Sequence, residues 1–294
     1  MLVWLNGRIL DARAARVSAL DRGLLHGDGL YDTWRTYAGR SFAAAAHLRR
    51  MAAAARWLGL PPPSTAAAWS ARAERLAARN GLRDAAVRLT MTRGATGDGV
   101  LPARDGPPTL LLTVRALPAD LALQQARGIA CVLLPFPRDA GFPWGTMKLV
   151  GHASAVVGRR LAVRRRAAEG LYVTRAGEVT EGTTSNLFVV ERDTLLTPPR
   201  TSGVLGGVTR DLVLRLANSV GLRAREEPLT VARVRRAAEL FVTASTVELL
   251  PVVRLDGRPL NSGTPGPATR ALQAAYRAHV RRALYRQASR RRSS

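Results

Sequence analysis

The segment that decides the fold class reads Val179-Thr180-Glu181-Gly182-Thr183-Thr184-Ser185-Asn186-Leu187-Phe188. Its one carboxylate, Glu181, is followed by five small or hydrogen-bonding residues and then by an apolar strand that begins at Leu187. This order predicts a buried acid in a hydrogen-bonding loop, because a charge buried without hydrogen bonds is costly. Taken alone, the segment fits an ordinary turn carboxylate better.

Lys148 is the only lysine among 45 lysine and arginine residues. Arginine can replace a surface lysine, but it cannot replace one that must lose its proton, because guanidinium stays charged at any working pH. Schiff-base chemistry is the commonest role of that kind. Chance survival of one lysine through compositional drift is the alternative. Phe142 and Trp144 come just before Lys148, which predicts a partly desolvated amine.

A third segment reads Val204-Leu205-Gly206-Gly207-Val208-Thr209-Arg210 and opens a predicted helix that runs to Val220. Glycines before a helix allow backbone N–H groups to approach an anion, and the helix dipole favours a phosphate there. A Gly-Gly loop is weak evidence by itself, so its weight depends on the segments around it.

The order of predicted elements indicates an α/β (α+β) protein with two domains. We expect a smaller N-terminal domain at 1–115, an interdomain linker at 116–122, a larger C-terminal domain at 123–285 and a basic, disordered tail at 286–294. The first domain contains two predicted helices, Ala43–Leu58 and Thr65–Asn80, on several strands. The second alternates strands with predicted helices, which span Ala153–Glu169, Thr209–Val220 and Ala268–Tyr285.

Composition excludes several classes of function. The formal charge is +24, but the arginines are scattered, and only five tyrosines and five phenylalanines are available to stack on bases, which disfavours nucleic-acid binding. One cysteine, Cys131, allows no internal disulfide and suits a reducing compartment. No run approaches the roughly 18 apolar residues of a membrane span, and no metal cluster is evident. We therefore expect a cytoplasmic protein that binds neither nucleic acid nor membrane.

Together these segments resemble the fold-type-IV pyridoxal-phosphate (PLP) enzymes, the class IV aminotransferases. The resemblance extends from about Val3 to Tyr276 and rests on the order and spacing of eight motifs: Asp21-Arg22-Gly23, Gly27-Asp28-Gly29, His47-Leu48-Arg49-Arg50, Thr92-Arg93-Gly94, Lys148, Thr180 to Phe188, Leu205 to Arg210 and Leu240 to Val252. It implies that PLP lies in the cleft between the two domains, and that the enzyme is a homodimer whose partner subunit contributes to the substrate pocket.

The resemblance also implies roles for individual residues. Lys148 should form a Schiff base with PLP and then move a proton between the substrate Cα and cofactor C4′. Glu181 should pair with the pyridine nitrogen, and Arg50 should bind the phosphate as a fork. The remaining expected cofactor contacts are the backbone N–H groups of Val208 and Thr209, the hydroxyls of Thr209 and Ser245, the side chain of Leu205 against the ring, and a supporting Asn186.

Three activities share this family's scaffold: transamination of D-amino acids, transamination of branched-chain L-amino acids, and release of pyruvate from aminodeoxychorismate with formation of 4-aminobenzoate. Chain length and motif spacing look most like the D-amino-acid branch, with a 2-oxo acid as acceptor and a ping-pong mechanism. The lyase is the runner-up, and an (R)-amine transaminase is a further alternative.

The substrate carboxylate has no obvious partner in the sequence. Asp98 stands where the D-amino-acid enzymes and the lyases typically place an arginine, and an acid there would repel the carboxylate. Arg35 and Arg88 are the possible substitutes, because strand alternation puts Arg35 on a face with Tyr31 and puts Arg88 on a face with Thr90. Tyr31 and Thr246 complete the expected substrate contacts.

Overall fold

A computed structural model describes residues 1–97, 99–103, 106–137, 144–260 and 262–292, with side chains through residue 289. The chain forms two compact units, one made of 1–117 with 147–151 and one made of 118–146 with 152–294. Lys148, expected in the C-terminal domain, therefore belongs to the first unit. Within the described ranges, no helix has the length and apolar character needed to cross a membrane.

The first unit contains a six-stranded antiparallel sheet. Its strands, in the spatial order β2-β1-β6-β5-β3-β4, are β1 (Leu2–Leu5), β2 (Arg8–Asp11), β3 (Gly29–Tyr37), β4 (Arg40–Ser41), β5 (Ala85–Thr92) and β6 (Thr109–Ala116). Asn6 and Gly7 join β1 to β2 with φ of 45° and 96°, the positive φ values that an Asn-Gly hairpin turn requires.

Two helices cover one face of this sheet. They are α2 (Ala44–Trp57) and α3 (Ala66–Arg79), and a short helix, α1 (Arg22–Leu25), precedes β3. Alternation along β5 directs Val87, Leu89 and Met91 into the core that α2 and α3 cover. Arg88 and Thr90 lie on the opposite face, so the alternation inferred from the sequence holds for this strand.

The second unit is built on a nine-stranded mixed sheet. Its strands are β7 (Ile129–Leu133), β8 (Glu169–Val173), β9 (Val179–Gly182), β10 (Asn186–Glu191), β11 (Thr194–Thr197), β12 (Arg223–Glu226), β13 (Glu239–Ala244), β14 (Glu248–Leu255) and β15 (Arg258–Pro259). The order is β12-β11-β10-β13-β14-β7-β8-β9, with β15 paired to β14 outside this path. Asn186 of β10 also pairs with Glu181 of β9. This last pairing closes six strands into a ring.

The helices of the second unit correct three expectations. They are α4 (Leu121–Arg127), α5 (Ala153–Arg164), α6 (Val208–Leu216), α7 (Val231–Arg235) and α8 (Pro267–Arg292). Helix α4 begins inside the expected linker at 116–122. Helix α5 ends five residues before Glu169, because Arg166 takes a left-handed φ of 55°. Helix α8 extends to Arg292, into the stretch that was expected to be disordered, and neither glycine nor proline interrupts it there.

Candidate active site

Strand β3 holds the lysine segment. The Tyr31 N–H donates to the Lys148 carbonyl at 2.8 Å, and the Val150 N–H donates to the Gly29 carbonyl at 3.1 Å. Lys148 Nζ lies 5.0 Å from the centroid of the Tyr31 ring, within the range of cation–π attraction. Phe142 falls outside the described residues and Trp144 is 56% exposed. The aromatic ring beside the ammonium in this unit is thus Tyr31, which the sequence had placed among the substrate contacts.

A second cation shares the Tyr31 ring. The Arg88 guanidinium carbon lies 3.7 Å from the ring centroid, and Arg88 Nε donates to Thr90 Oγ1 at 3.2 Å. Burial lowers the pKa of Arg88 from its ordinary value. Within the part of the chain that the structure describes, no carboxylate forms an ion pair with Arg88. A half-buried cation of this kind is suited to accept the carboxylate of a small molecule.

The other predicted arginine has a different ring neighbour. Arg35 lies 4.2 Å from the centroid of the Tyr37 ring, farther along the same face of β3. The two candidates are therefore distinguished by position, since only Arg88 stacks on the ring that Lys148 also approaches. Asp98, which raised the question of the carboxylate partner, lies outside the described residues.

Arg50 is fixed by an acid that the sequence did not single out. Its Nε and Nη2 donate to the two oxygens of Asp32 at 2.9 and 2.7 Å, and His47 Nδ1 is 2.8 Å from Asp32 Oδ1. Burial raises the pKa of Asp32, but Arg50 and His47 outweigh it and hold that pKa well below its usual range. Burial, together with the charges of Arg50 and Lys148, lowers the pKa of His47 from its ordinary value, although Asp32 acts to raise it. Helix α2 thus presents an oriented guanidinium.

In the second unit, three predicted cofactor residues form one cluster. Glu181 is only 3% exposed. Its Oε2 accepts hydrogen bonds from Asn186 Nδ2 at 3.2 Å and from the Leu205 N–H at 3.1 Å. Asn186 Nδ2 also donates to the Leu205 carbonyl at 2.8 Å. The structure therefore brings together a buried carboxylate, its amide support and the loop that precedes α6.

The N-terminus of α6 forms a cradle beside this cluster. Helix α6 begins at Val208 after Gly207, and no side chain caps it, although the first N–H groups of any helix lack intrahelical acceptors. Thr209 Oγ1 lies 3.5 Å from Ser245 Oγ, and Thr246 follows in the same turn between β13 and β14. A Cβ on Gly207 would lie 2.0 Å from Asn186 Oδ1. N–H donors, hydroxyls and a required glycine suit a phosphate group.

The hydroxyl-rich turn after Glu181 binds a different acid from the one expected. Thr183 and Ser185 donate to the carboxylate of Glu169, which is 3% exposed, and the Ser185 Oγ distance is 3.0 Å. The sequence placed Glu169 at the end of a helix and so missed it. The signal was present in the apolar Gly170-Leu171-Tyr172-Val173 run, which makes Glu169 the first residue of a buried strand.

The family model for amino-transferase class IV matches residues 29–255. The chain belongs to the class IV aminotransferase family. It is 33% identical over 277 residues to a putative branched-chain-amino-acid aminotransferase of Methanocaldococcus jannaschii, covering 94% of this chain and 96% of the relative. It is 30% identical over 282 residues to a D-alanine aminotransferase of Bacillus licheniformis, covering 94% and 95%.

Solved structures confirm the aminotransferase fold and its cofactor. The branched-chain amino acid aminotransferase of Escherichia coli superimposes with a TM-score of 0.88 at 26% identity, covering 95% of this chain and 94% of that one. A hypothetical aminotransferase from Mycobacterium tuberculosis, in its form bound to alpha-ketoglutarate and PMP, gives 0.84 at 26% identity, covering 95% and 99%. Class IV aminotransferases are PLP enzymes, so this one is a PLP-dependent transaminase. The cradle at α6 and the lone lysine fit that cofactor.

Proposed function

We propose that this aminotransferase moves an amino group from a D-amino acid to a 2-oxo acid by a ping-pong mechanism, with Lys148 holding PLP covalently. The donor leaves as a 2-oxo acid, and the acceptor leaves as an amino acid. The observation that carries the proposal is that Lys148, the only lysine of the chain, lies against the ring of Tyr31, on which Arg88 also stacks. We further propose a homodimer, as the family resemblance implies.

Each set of residues has a separate task in this proposal. PLP, when bound, supplies a ring that stabilises negative charge at the substrate Cα. Glu181 holds the proton on the pyridine nitrogen, while Asn186 and the Leu205 N–H fix the orientation of its carboxylate. Lys148 Nζ moves the proton between the substrate Cα and C4′.

The phosphate of PLP has two sets of contacts in this proposal. The N–H groups of Val208 and Thr209 and the hydroxyls of Thr209 and Ser245 bind phosphate oxygens. Arg50 contributes a guanidinium whose orientation Asp32 already fixes through two hydrogen bonds. A guanidinium that is fixed before binding loses little rotamer freedom when an anion arrives.

Arg88 is the proposed partner of the substrate carboxylate. Its guanidinium is held by Thr90 and by the Tyr31 ring at 3.7 Å, and burial lowers its pKa. Arg88 can therefore replace these weak neutral contacts with a charge-assisted hydrogen bond to the carboxylate of a substrate, and that replacement is favourable. Arg35, beside Tyr37, and Thr246 remain further candidates for substrate contact.

A branched-chain L-amino acid is the second candidate donor. The 33% identical relative of Methanocaldococcus jannaschii is named for that substrate class, whereas the 30% identical relative of Bacillus licheniformis is named for D-alanine. Motif spacing favours the D-amino acid, and the two candidates require the same lysine and cofactor.

The test is a single-turnover experiment on the PLP-loaded enzyme. D-Alanine, L-leucine, (R)-1-phenylethylamine and aminodeoxychorismate are added separately, and the visible absorbance of bound PLP is followed. Loss of the band with D-alanine and formation of pyruvate would support the proposal. Conversion by L-leucine alone would establish the branched-chain activity. Continuous pyruvate release from aminodeoxychorismate without an acceptor would establish the lyase.

A further inference from the structure

Glu169 is a buried, hydrogen-bonded carboxylate beside the turn that follows the proposed pyridine-binding acid, Glu181. Five hydrogen-bond donors reach it from one turn and from its own strand: the N–H groups of Gly170 and Thr183 at 2.9 and 3.2 Å, and the hydroxyls of Thr183, of Thr184 at 3.4 Å and of Ser185 at 3.0 Å. Arg159 Nη1 on α5 adds an ion pair at 3.3 Å. The five hydrogen bonds and the ion pair offset the desolvation of the charge. Because each hydrogen bond constrains both of its partners, this network fixes the positions of the donors as well as the position of the Glu169 carboxylate.

The turn held by Glu169 lies directly between Glu181 and Asn186. It is closed by the Gly182 N–H, which donates to the Ser185 carbonyl at 2.7 Å. A Cβ on Gly182 would lie 2.2 Å from Ser185 Oγ and 3.1 Å from Glu169 Cδ. The carboxylate of Glu169 therefore packs on the turn backbone, where only glycine fits.

The residues that flank this turn are paired with each other. Glu181 on β9 faces Asn186 on β10 in the register, and Asn186 Nδ2 donates to Glu181 Oε2 at 3.2 Å. Because the turn is short, its conformation sets the distance and angle between these two side chains. If the turn changes conformation, the carboxylate of Glu181 changes its orientation relative to Asn186.

We propose that Glu169 is a positioning residue, which fixes the 182–185 turn so that Glu181 and Asn186 meet PLP in the right geometry. The inference rests on the proposed role of Glu181. It assigns Glu169 no contact with substrate or cofactor. It predicts that a second buried carboxylate, outside the cofactor shell, controls how tightly PLP binds.

The chain offers a matched control in Glu239. This carboxylate belongs to the same unit and also accepts three hydrogen bonds, from the N–H groups of Ala268 and Thr269 at 2.9 and 2.7 Å and from Thr269 Oγ1 at 2.6 Å. It anchors the start of α8. In the β10–β13 pair, Glu239 lies opposite Val190, at the far end of the strand from Asn186.

The experiment compares Glu169→Ala, Glu169→Gln and Glu239→Ala. PLP is removed from each full-length protein, the Kd for PLP is measured by absorbance titration, and thermal unfolding is recorded for the apo form. Because the loss of Glu169 leaves its buried donors without their acceptor, we expect Glu169→Ala to raise the Kd by roughly tenfold or more. Glu239→Ala should lower the apo unfolding temperature but change the Kd by less than about twofold. Glu169→Gln should restore most of the affinity, because an amide keeps one acceptor.

Two further variants separate the possible failures. Should Glu169→Ala not fold, Ser185→Ala removes one donor to Glu169 and should still raise the Kd in the same direction. Glu181→Gln tests the proposed function itself by its effect on the absorbance of bound PLP. Equal Kd values for Glu169→Ala and Glu239→Ala, with a clear effect of Glu181→Gln, would overturn the positioning role alone. No effect of Glu181→Gln would overturn the assignment of Glu181 and the positioning role with it.

Discussion

At the residue scale, the geometry separates two arginines that the sequence could not rank. Arg88 stacks on Tyr31, whose ring Lys148 also approaches, whereas Arg35 stacks on Tyr37. The alternation of β3 and β5 was predictable, because polar and apolar side chains follow the pleat. The stacking partner was not, since it depends on the rotamers that neighbouring strands allow.

Substitution of Arg88 should therefore affect only donors that carry a carboxylate. Hydrogen bonds to charged groups contribute about 1.5–3 kcal/mol, so Arg88→Gln should raise KM for D-alanine by roughly 10-fold to 100-fold. The KM for any amine donor without a carboxylate should stay within about twofold. Arg35→Gln is the matched control, and steady-state kinetics with both donors is the measurement. A selective loss of amino-acid turnover in Arg35→Gln alone would reassign the carboxylate partner.

Gly207 provides a second residue-scale test, because its φ of −71° is open to any residue. A methyl group there would lie 2.0 Å from Asn186 Oδ1, so Gly207→Ala must displace Asn186 or the start of α6. We expect a PLP affinity reduced by roughly tenfold, since overpacking costs typically 1–3 kcal/mol. Gly99→Ala, whose methyl would meet only the Leu101 carbonyl at 3.6 Å, should bind PLP like the parent protein in the same titration.

At the scale of elements, Asp32 ties helix α2 to strand β3 through His47 and Arg50. This link makes the stability of the first unit depend on pH. The folded state lowers the pKa of His47, so the unfolded chain binds a proton that the folded chain resists. Stability is then complete above the ordinary histidine pKa of about 6.5 and falls as the pH drops below it. Asp32, whose pKa is also lowered, adds a further loss below about pH 4.

His47→Gln should flatten the upper part of this pH dependence. We expect the decrease in urea midpoint between about pH 7 and about pH 5 to be smaller in the variant than in the parent protein. Tryptophan fluorescence reports mainly the first unit, because four of the five tryptophans lie there: Trp4, Trp34, Trp57 and Trp69. His279, whose pKa burial also lowers, lies on α8, so His279→Gln is the control. An unchanged slope in His47→Gln would show that another group governs the transition.

The helices of the first unit were predicted from the sequence more accurately than the strands of the second unit. The expected Ala43–Leu58 and Thr65–Asn80 helices are α2 and α3 to within a residue at each end, because each ends at a glycine or proline signal. Strand β14 cannot be predicted with the same accuracy, because Pro251 interrupts an apolar run that shows no alternation. Glu169 was missed for a related reason, since the helical pattern of α5 continues past the residue at which the backbone turns.

At the scale of the whole molecule, a single lysine makes covalent attachment of PLP directly visible. A lysine-specific protease can cut the unfolded chain only after Lys148, which gives fragments 1–148 and 149–294. Borohydride reduction of the loaded enzyme should convert Lys148 into a modified residue that the protease does not recognise. We therefore expect a band of the full-length chain after reduction, whereas the unreduced enzyme should give a band of about half that mass on a denaturing gel, because the two fragments are nearly equal in length.

The controls for this experiment are equally simple. Reduction of apo protein should leave the chain cleavable. Lys148→Arg, which keeps the positive charge but cannot lose its proton, should resist the protease in every condition and retain no PLP after reduction. A half-length band from reduced, PLP-loaded parent enzyme would mean that PLP is not attached to Lys148.

The first unit is built from two separate stretches of the chain, so a cut between them divides the unit. Residues 1–117 include Tyr31, Arg50 and Arg88, whereas Lys148 belongs to the second stretch of the unit, 147–151. Two backbone hydrogen bonds, one to the Lys148 carbonyl and one from the Val150 N–H, hold this second stretch to β3. A split of the coding sequence anywhere between these stretches would place Lys148 on a separate peptide from Tyr31, its aromatic neighbour. Reassembly would then depend on a strand bridge of a few residues, so catalysis should recover more slowly than either half folds.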